Sequence, residues 1–139
     1  ELIDVVQKYV KLDKAGANWK GLSPFKDENT PSFVVSEAKN VYKCFGTGIG
    51  GNSAVSFVMA KTSLPYPDAI KEICEIARDK GIETLVDAAH AIGQINHSIQ
   101  EIGCDYYATS LHKWMNAPLG SGLMYIANNK IDSIEIMAI

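Results

Sequence analysis

The chain has 139 residues, 47% hydrophobic and 21% charged, with a formal net charge of −3; this is the balance of a soluble globular protein with a core, not of a disordered, fibrous or strongly basic chain. No apolar run approaches the ~20 residues needed to span a bilayer. Cys44, Cys74 and Cys104 are odd in number and too widely spaced for a disulfide framework, which points to a reducing, cytoplasmic compartment. The average charge conceals a split: up to Glu72 nine lysines face eight acidic residues, whereas from Ile73 onward four Lys or Arg face eight. An opening Glu and the absence of a terminal signal read as an excerpt of a longer sequence.

In chain order, LIDVVQKYVKL places Ile3, Val6, Val10 and Leu12 on one side at helical spacing, which predicts a short amphipathic helix. KAGANWKGLSP is punctuated by Gly and Pro and reads as turns before short strands. PSFVVS and KNVYKCF are β-branched and aromatic runs separated by polar SEAK, the pattern of an antiparallel hairpin. Beyond the glycine-rich GTGIGGN, SAVSFVMAKTS and YPDAIKEICEIARDKG read as two helices, the second ending at Gly81, where a left-handed cap fits. From there the rhythm changes: ETLVDAAH, CDYYATS and GSGLMYIA read as strands, with HSIQEIG as a brief helix. The fold class expected is α+β, an antiparallel sheet with helices followed by an α/β fragment. The expected domains are residues 1–72 and 73–139.

Paired Cys or His ligands on tight turns make tetrahedral zinc sites, and YVKLDKAGANWKGLSPFKDENTPSFVVSEAKNVYKCFGTGIGGNSAVSFVM has the frame of one. The stretch resembles the N-terminal zinc-ribbon (CHC2-type) domain of bacterial DNA primase over roughly residues 3 to 73. In that family the pattern runs Cys-Pro-Phe-His, the Thr-Pro-Ser-Phe strand, then Cys-Phe-Gly-Cys-Gly and Gly-Gly-Asn. Here Ser23, Lys26 and Thr47 stand at three ligand positions, and Cys44 alone remains. One thiolate does not make a structural site, so no zinc is expected and no metal ligand is assigned. Packing by Phe25, Phe33, Val35, Val41, Tyr42, Phe45, Phe57 and Val58, at about 1.5–3 kcal/mol per buried side chain, is expected to take the metal's place. The resemblance also implies single-stranded DNA as a partner, with Lys14, Trp19, Lys20, Lys39, Tyr42 and Lys43 as the face that meets phosphates and bases. The alternative is a solvated surface with Trp19 in the core. GTGIGGN lacks the Gly-Lys-Ser/Thr of a phosphate loop.

Pyridoxal phosphate chemistry needs a lysine amine, a carboxylate at the ring nitrogen and donors for the phosphate. Asp87 ends the strand TLVD, and Lys113 follows the strand YYATS between Ser110, His112 and Trp114. KEICEIARDKGIETLVDAAHAIGQINHSIQEIGCDYYATSLHKWMNAPLGSGLMYI resembles the class V aminotransferase family, which includes cysteine desulfurases and isopenicillin-epimerase-like enzymes, over roughly residues 71 to 135. By that resemblance Lys113 is the catalytic residue and covalent anchor. Asp87 pairs with the pyridine nitrogen, His90 touches the ring's phenolic oxygen, and Ser110 and His112 contact the phosphate. The family's complete enzymes carry further segments on both sides, so pyridoxal phosphate is expected to bind this stretch weakly or not at all.

The two patterns share the register IKEI, Ile70 to Ile73, where one amphipathic helix crosses the join. The expected function is a fusion or fragment without complete activity: a primase-type DNA-binding module in front and a pyridoxal-phosphate half domain behind. The alternatives are a transferase or lyase fragment that completes its site with another chain, and a folded recombinant with no function. Exposed strand edges in the second half favour homo-oligomers, and no membrane partner is expected.

Overall fold

Alternation in FVVS and VYKC sends every second side chain to one side, and both runs form strands. β3 (Phe33–Ser36) pairs antiparallel with β4 (Val41–Cys44) in the register Phe33 to Cys44 and Val35 to Tyr42, and all four of these side chains are buried. They belong to a computed structural model that describes residues 1–135, so the last four residues of the expected second domain lie outside the described residues. The chain divides into two compact units, Glu1–Ile73 and Cys74–Ile139.

The first unit is a five-stranded antiparallel sheet in the order β1-β2-β3-β4-β5, with β1 (Asp13–Ala15), β2 (Asn18–Gly21) and the two-residue β5 (Gly50–Gly51) completing it. Where the sequence predicted only turns, KAGANW closes a β1–β2 hairpin; the strands are short and β1 is exposed along its length, so it carries no apolar alternation to betray it. The opening helix α1 spans only Leu2–Val6, and tighter turns carry the chain on to Val10. Ile3, Val6 and Val10 are buried as their spacing predicted, together with Leu2 and Val5, while Leu12 is half-buried.

Helix α2 (Ala54–Thr62) starts at Ser53, whose hydroxyl accepts from the Ser56 amide at 3.1 Å, and presents Phe57 and Val58 to the core. An N-cap of this kind contributes about 1 kcal/mol. Phe57 packs against Tyr9, Phe25, Phe33 and Tyr42 with ring centroids 5.3 to 6.1 Å apart. Three expected core residues are less buried than expected: Phe25 and Val41 are half-buried and Phe45 is 73% exposed. Phe45 follows Cys44, whose side chain points inward, and the alternation that buries one turns the other out.

The division between the units falls inside α3 (Tyr66–Asp79). After α3, Gly81 takes φ +68°, the left-handed turn that its position in the sequence predicted. The second unit is a three-stranded sheet: β6 (Leu85–Asp87) runs parallel to β7 (Tyr106–Ser110), and β8 (Gly122–Ile126) is antiparallel to β7. A parallel pair needs a crossover, here the loop after Asp87 and α4 (Ile99–Ile102), capped by Ser98. A four-residue helix, α5 (Leu111–Trp114), follows β7 directly, and a 3-10 helix, Asn128–Ser133, follows β8. The core comprises Cys74, Ile76, Ala88, Ile102, Cys104 and Tyr107, with the Thr109 hydroxyl donating to the Ala88 carbonyl at 2.8 Å. The outer strands leave Leu85, Leu123 and Met124 exposed. Mixed helix and sheet make the chain α+β. Among the described residues no helix is long and apolar enough to cross a membrane.

Asp105 fixes the start of β7 against β6. Its carboxylate accepts from the Thr84 amide at 2.8 Å and the Thr84 hydroxyl at 3.0 Å, and Lys130 lies 3.8 Å away. Burial alone would raise its pKa, but the Thr84 bonds and Lys130 outweigh it and hold the carboxyl below its usual value. Asp105→Ala should cost about 1–3 kcal/mol in urea denaturation of the second unit. Because the depressed carboxyl favours the native state in its ionised form, the wild-type advantage should be full above the ordinary carboxylate value of 3.8 and shrink as pH falls below it. An Asp105→Ala protein as stable as wild type at neutral pH would refute this role.

Candidate functional site

In the first unit the four ligand positions of the zinc-ribbon frame converge. The Cys44 thiol donates to the Ser23 hydroxyl at 3.2 Å and lies 3.7 Å from the Ser32 hydroxyl. Gly46 sits so close to Lys26 that a Cβ there would fall 2.6 Å from the ammonium. Glu28 ties the segments beside them together: it accepts from the Ser23 amide at 2.8 Å, the Ser32 amide at 2.9 Å and the Ser32 hydroxyl at 2.7 Å, and pairs with Lys26 at 3.4 Å. Its side chain is only 9% exposed. Burial pushes its pKa upward, but the bonds from Ser32 and Ser23, with Lys26, hold it below the usual carboxylate range. Burial likewise pushes Cys44 up, while hydrogen bonds from Ser23, Thr47 and Ser32 bring the thiol down to about 7.

This donor set does not fit zinc. Two hydroxyls and an ammonium stand at three of the four ligand positions, with a single sulfur at the fourth, and the ammonium of Lys26 supplies positive charge at a position where a cation would need a ligand. Among the described residues no group of three or more His, Cys, Asp or Glu is placed to hold a metal ion.

The six residues expected to meet DNA do not share one surface. Lys14, Trp19, Val35 and Tyr42 stand in one row across the sheet, and Lys20, Val34 and Lys43 in the next, so the rows face opposite sides. Tyr42 is a correction: at 3% exposure it packs among Phe25, Phe33 and Phe57 and is not on a surface. Trp19 is half-buried; its indole donates to Glu37 at 2.9 Å, and Lys14 lies 4.4 Å above its ring and 3.3 Å from the same carboxylate. Lys20, Lys39 and Lys43 are exposed, and Lys43 donates to the Gly48 carbonyl at 2.6 Å. Two residues beyond Lys43 stands the exposed Phe45. Sequence patterning sent it to the core because it continues a hydrophobic strand; its position beside a glycine turn was the available signal.

In the second unit β6 and β7 end side by side, and their carboxyl ends gather the pyridoxal-type residues. Asp87 closes β6, exposed, with one carboxylate oxygen accepting from the Ala89 amide at 3.0 Å. His90 lies in the loop that follows. Ser110 closes β7 and starts α5, its hydroxyl unused as a cap, and α5 carries His112 and Lys113. The Lys113 amine is 3.0 Å from His90 Nε2, and the Trp114 indole donates to His90 Nδ1 at 3.2 Å. His112 turns the other way, its Nδ1 3.1 Å from the Ser121 carbonyl. Lys113 and His90 are thus in contact, and Asp87 stands on the neighbouring strand end. An amine, an imidazole and a carboxylate at the carboxyl ends of parallel strands are a donor set that fits pyridoxal phosphate. Sequence reading placed Trp114 beside the lysine but gave it no role.

The fold defines a ribbon-type sheet followed by a fragment of a pyridoxal-phosphate-type α/β domain. Residues 1–90 match the family model described as CHC2 zinc finger, and residues 50–138 that of aminotransferase class V. The chain belongs to both families, the first through its N-terminal part and the second through its C-terminal part. It is similar to the DNA primase of Pseudomonas putida, 43% identical over 86 residues, covering 58% of this chain and 13% of the primase. The DNA primase of Aquifex aeolicus is 33% identical over 113 residues, covering 81% of this chain and 22% of the primase. Isopenicillin N epimerase of Streptomyces clavuligerus is 44% identical over 80 residues, covering 58% of this chain and 20% of the epimerase. The crystal structure of the zinc-binding and RNA polymerase domains of Aquifex aeolicus primase aligns with a TM-score of 0.49 at 37% identity, over 60% of this chain and 20% of that one. The chain thus spans 13% to 22% of the length of these curated relatives.

Removing the Glu28 carboxylate should leave two amides and a hydroxyl without their acceptor. Glu28→Ala should destabilise the first unit by about 1–3 kcal/mol, whereas a metal chelator should leave the thermal midpoint of the wild type unchanged. A chelator-induced drop in that midpoint would show that the turns depend on a metal after all.

Proposed function

We propose that the chain is a composite of two modules, residues 1–72 and 73–139, that completes neither parental activity alone, and that Lys113 is the residue by which the second module takes pyridoxal phosphate. The observation that carries this reading is the 3.0 Å approach of the Lys113 amine to His90 at the carboxyl ends of β6 and β7. When bound, pyridoxal phosphate supplies an electron sink for reactions at an amino acid's α carbon. Lys113 would hold it covalently through its side-chain nitrogen. Asp87 has a carboxylate oxygen beyond the one used by Ala89 and would face the ring nitrogen. The Ser110 hydroxyl would donate to the phosphate, and His112 would contact it from the side of the ring not bonded to Ser121. Leu85, Leu123 and Met124 are exposed on the outer strands, and a second chain that covers them would enclose the cofactor, which accords with a homo-oligomer and a site completed in trans.

Incubation with pyridoxal phosphate followed by borohydride should label Lys113, as read by peptide mass spectrometry, and Lys113→Arg should abolish the label. The chain alone should turn over no amino acid. Label spread evenly over surface lysines would refute the assignment, and turnover by the isolated chain would refute its incompleteness.

For the first module the reading is single-stranded DNA binding without zinc, in a cytoplasmic setting. It is favoured by the exposed Phe45 two residues beyond the exposed Lys43, with Lys20 in the same cross-strand row as Lys43, a ring for a base with cations for phosphates. Phe45→Ala should weaken oligonucleotide binding by about 1–3 kcal/mol, and Lys43→Ala should reduce the log–log salt slope by roughly 0.7. Fluorescence anisotropy checks both, and unchanged binding by Phe45→Ala would rule out stacking at this ring.

A further inference from the structure

We infer that Trp114 is a positioning residue that decides which nitrogen of His90 carries the proton and so presents a hydrogen-bond donor to Lys113. The inference rests on the reading of Lys113 proposed above, and it comes from counting donors. An indole N–H only donates. Trp114 Nε1 donates to His90 Nδ1 at 3.2 Å, with the two rings 6.3 Å apart and inclined at 62°. Nδ1 is therefore the accepting nitrogen, and the proton of the neutral imidazole lies on Nε2. That atom is the one 3.0 Å from the Lys113 nitrogen.

An ammonium group also only donates. If Lys113 were an ammonium, two donors would meet head-on at Nε2, and relief would require His90 to move its proton to Nδ1, against the Trp114 N–H. The chain from indole to imidazole to lysine closes without conflict only when the lysine nitrogen offers a lone pair. The free amine is the form that attacks an aldehyde carbon. Trp114 thus favours the nucleophilic form of Lys113 through His90, without touching the lysine's nitrogen.

The loop is shaped for this contact. Gly93 has φ +85°, and a Cβ there would meet the Trp114 Cβ at 3.2 Å and its carbonyl oxygen at 3.3 Å, so a glycine lets the His90 loop close onto Trp114. The indole is 49% exposed. The other titratable groups around the pair are committed or face elsewhere. His97 is bonded to the Ile95 carbonyl at 2.8 Å and the Tyr107 hydroxyl at 2.6 Å, and His112 to the Ser121 carbonyl. Asp87 accepts from Ala89, and β8, which packs on α5, carries only Tyr125.

The test uses the full chain, 15N-labelled at histidine, as wild type, Trp114→Phe and His90→Phe, with near-ultraviolet circular dichroism to confirm folding. The His90→Phe spectrum assigns the His90 resonances. Two readouts follow: the His90 tautomer by NMR, and the pH profile of Lys113 labelling by pyridoxal phosphate and cyanoborohydride. Wild-type His90 should be the Nε2–H tautomer. Trp114→Phe should lose that preference and slow labelling at neutral pH by about two- to tenfold, the range of a single hydrogen bond. In the His90→Phe background the same substitution should have no further effect. An Nδ1–H tautomer in the wild type, or superimposable profiles for wild type and Trp114→Phe, would overturn the inference. If Lys113 of the wild type is not labelled at all, the cofactor reading fails, and the tautomer spectra alone then decide the role of Trp114. Should Trp114→Phe not fold, the wild-type tautomer and the His90→Phe labelling rate, expected to slow in the same way, still decide it.

Discussion

A carboxylate that gathers amide and hydroxyl protons from a neighbouring segment is the interaction on which each unit depends. Glu28 does this in the first unit, drawing in Ser23, Ser32 and the ammonium of Lys26. Asp105 does it in the second, with Thr84 and Lys130. In both places the acceptor is charged, the donors include backbone amides, and burial is offset by several short bonds, which is the geometry in which a hydrogen bond contributes more than its neutral average. Without them the knuckle turns of the first unit and the β6–β7 strand starts of the second would have polar groups facing each other with nothing between.

This explains how a frame built for a metal persists without its ligands. A tetrahedral ion links turns by drawing several side chains to one point. Here a carboxylate draws in amides from two neighbouring segments, and Cys44 is held by the hydroxyls of Ser23, Thr47 and Ser32. Beneath it, the cluster of Tyr9, Phe25, Phe33, Tyr42 and Phe57 supplies the apolar burial that a small ribbon otherwise lacks. Tyr42 is occupied by that cluster, and the side chains exposed on this unit include Phe45 and the lysines Lys20, Lys39 and Lys43.

The second unit follows a different economy. Its strand ends bring an amine, an imidazole and an indole into a single chain of bonds, and this group lies open on one side. Chemistry at such a site depends on how protons are distributed among three nitrogens more than on burial, since solvent screens the charges. A partner that covered the exposed outer strands would strengthen every one of these interactions by excluding water.

Much of this was legible along the chain. β-branched and aromatic runs marked β3 and β4, helical spacing marked the opening helix, amphipathic patterning marked α3, and the paired motifs around Asp87 and Lys113 marked the residues that the parallel strands gather at one edge. These are local signals, because side-chain direction in a strand or helix depends only on position within it. Where the chain turns decided the rest. The step after Cys44 put Phe45 outside, the pairing of β3 with β4 buried Tyr42, and the loop folded at Gly93 set an indole against His90. Such outcomes depend on contacts between segments distant in sequence, whose register no local pattern records, and they alone determine which polar atoms face one another.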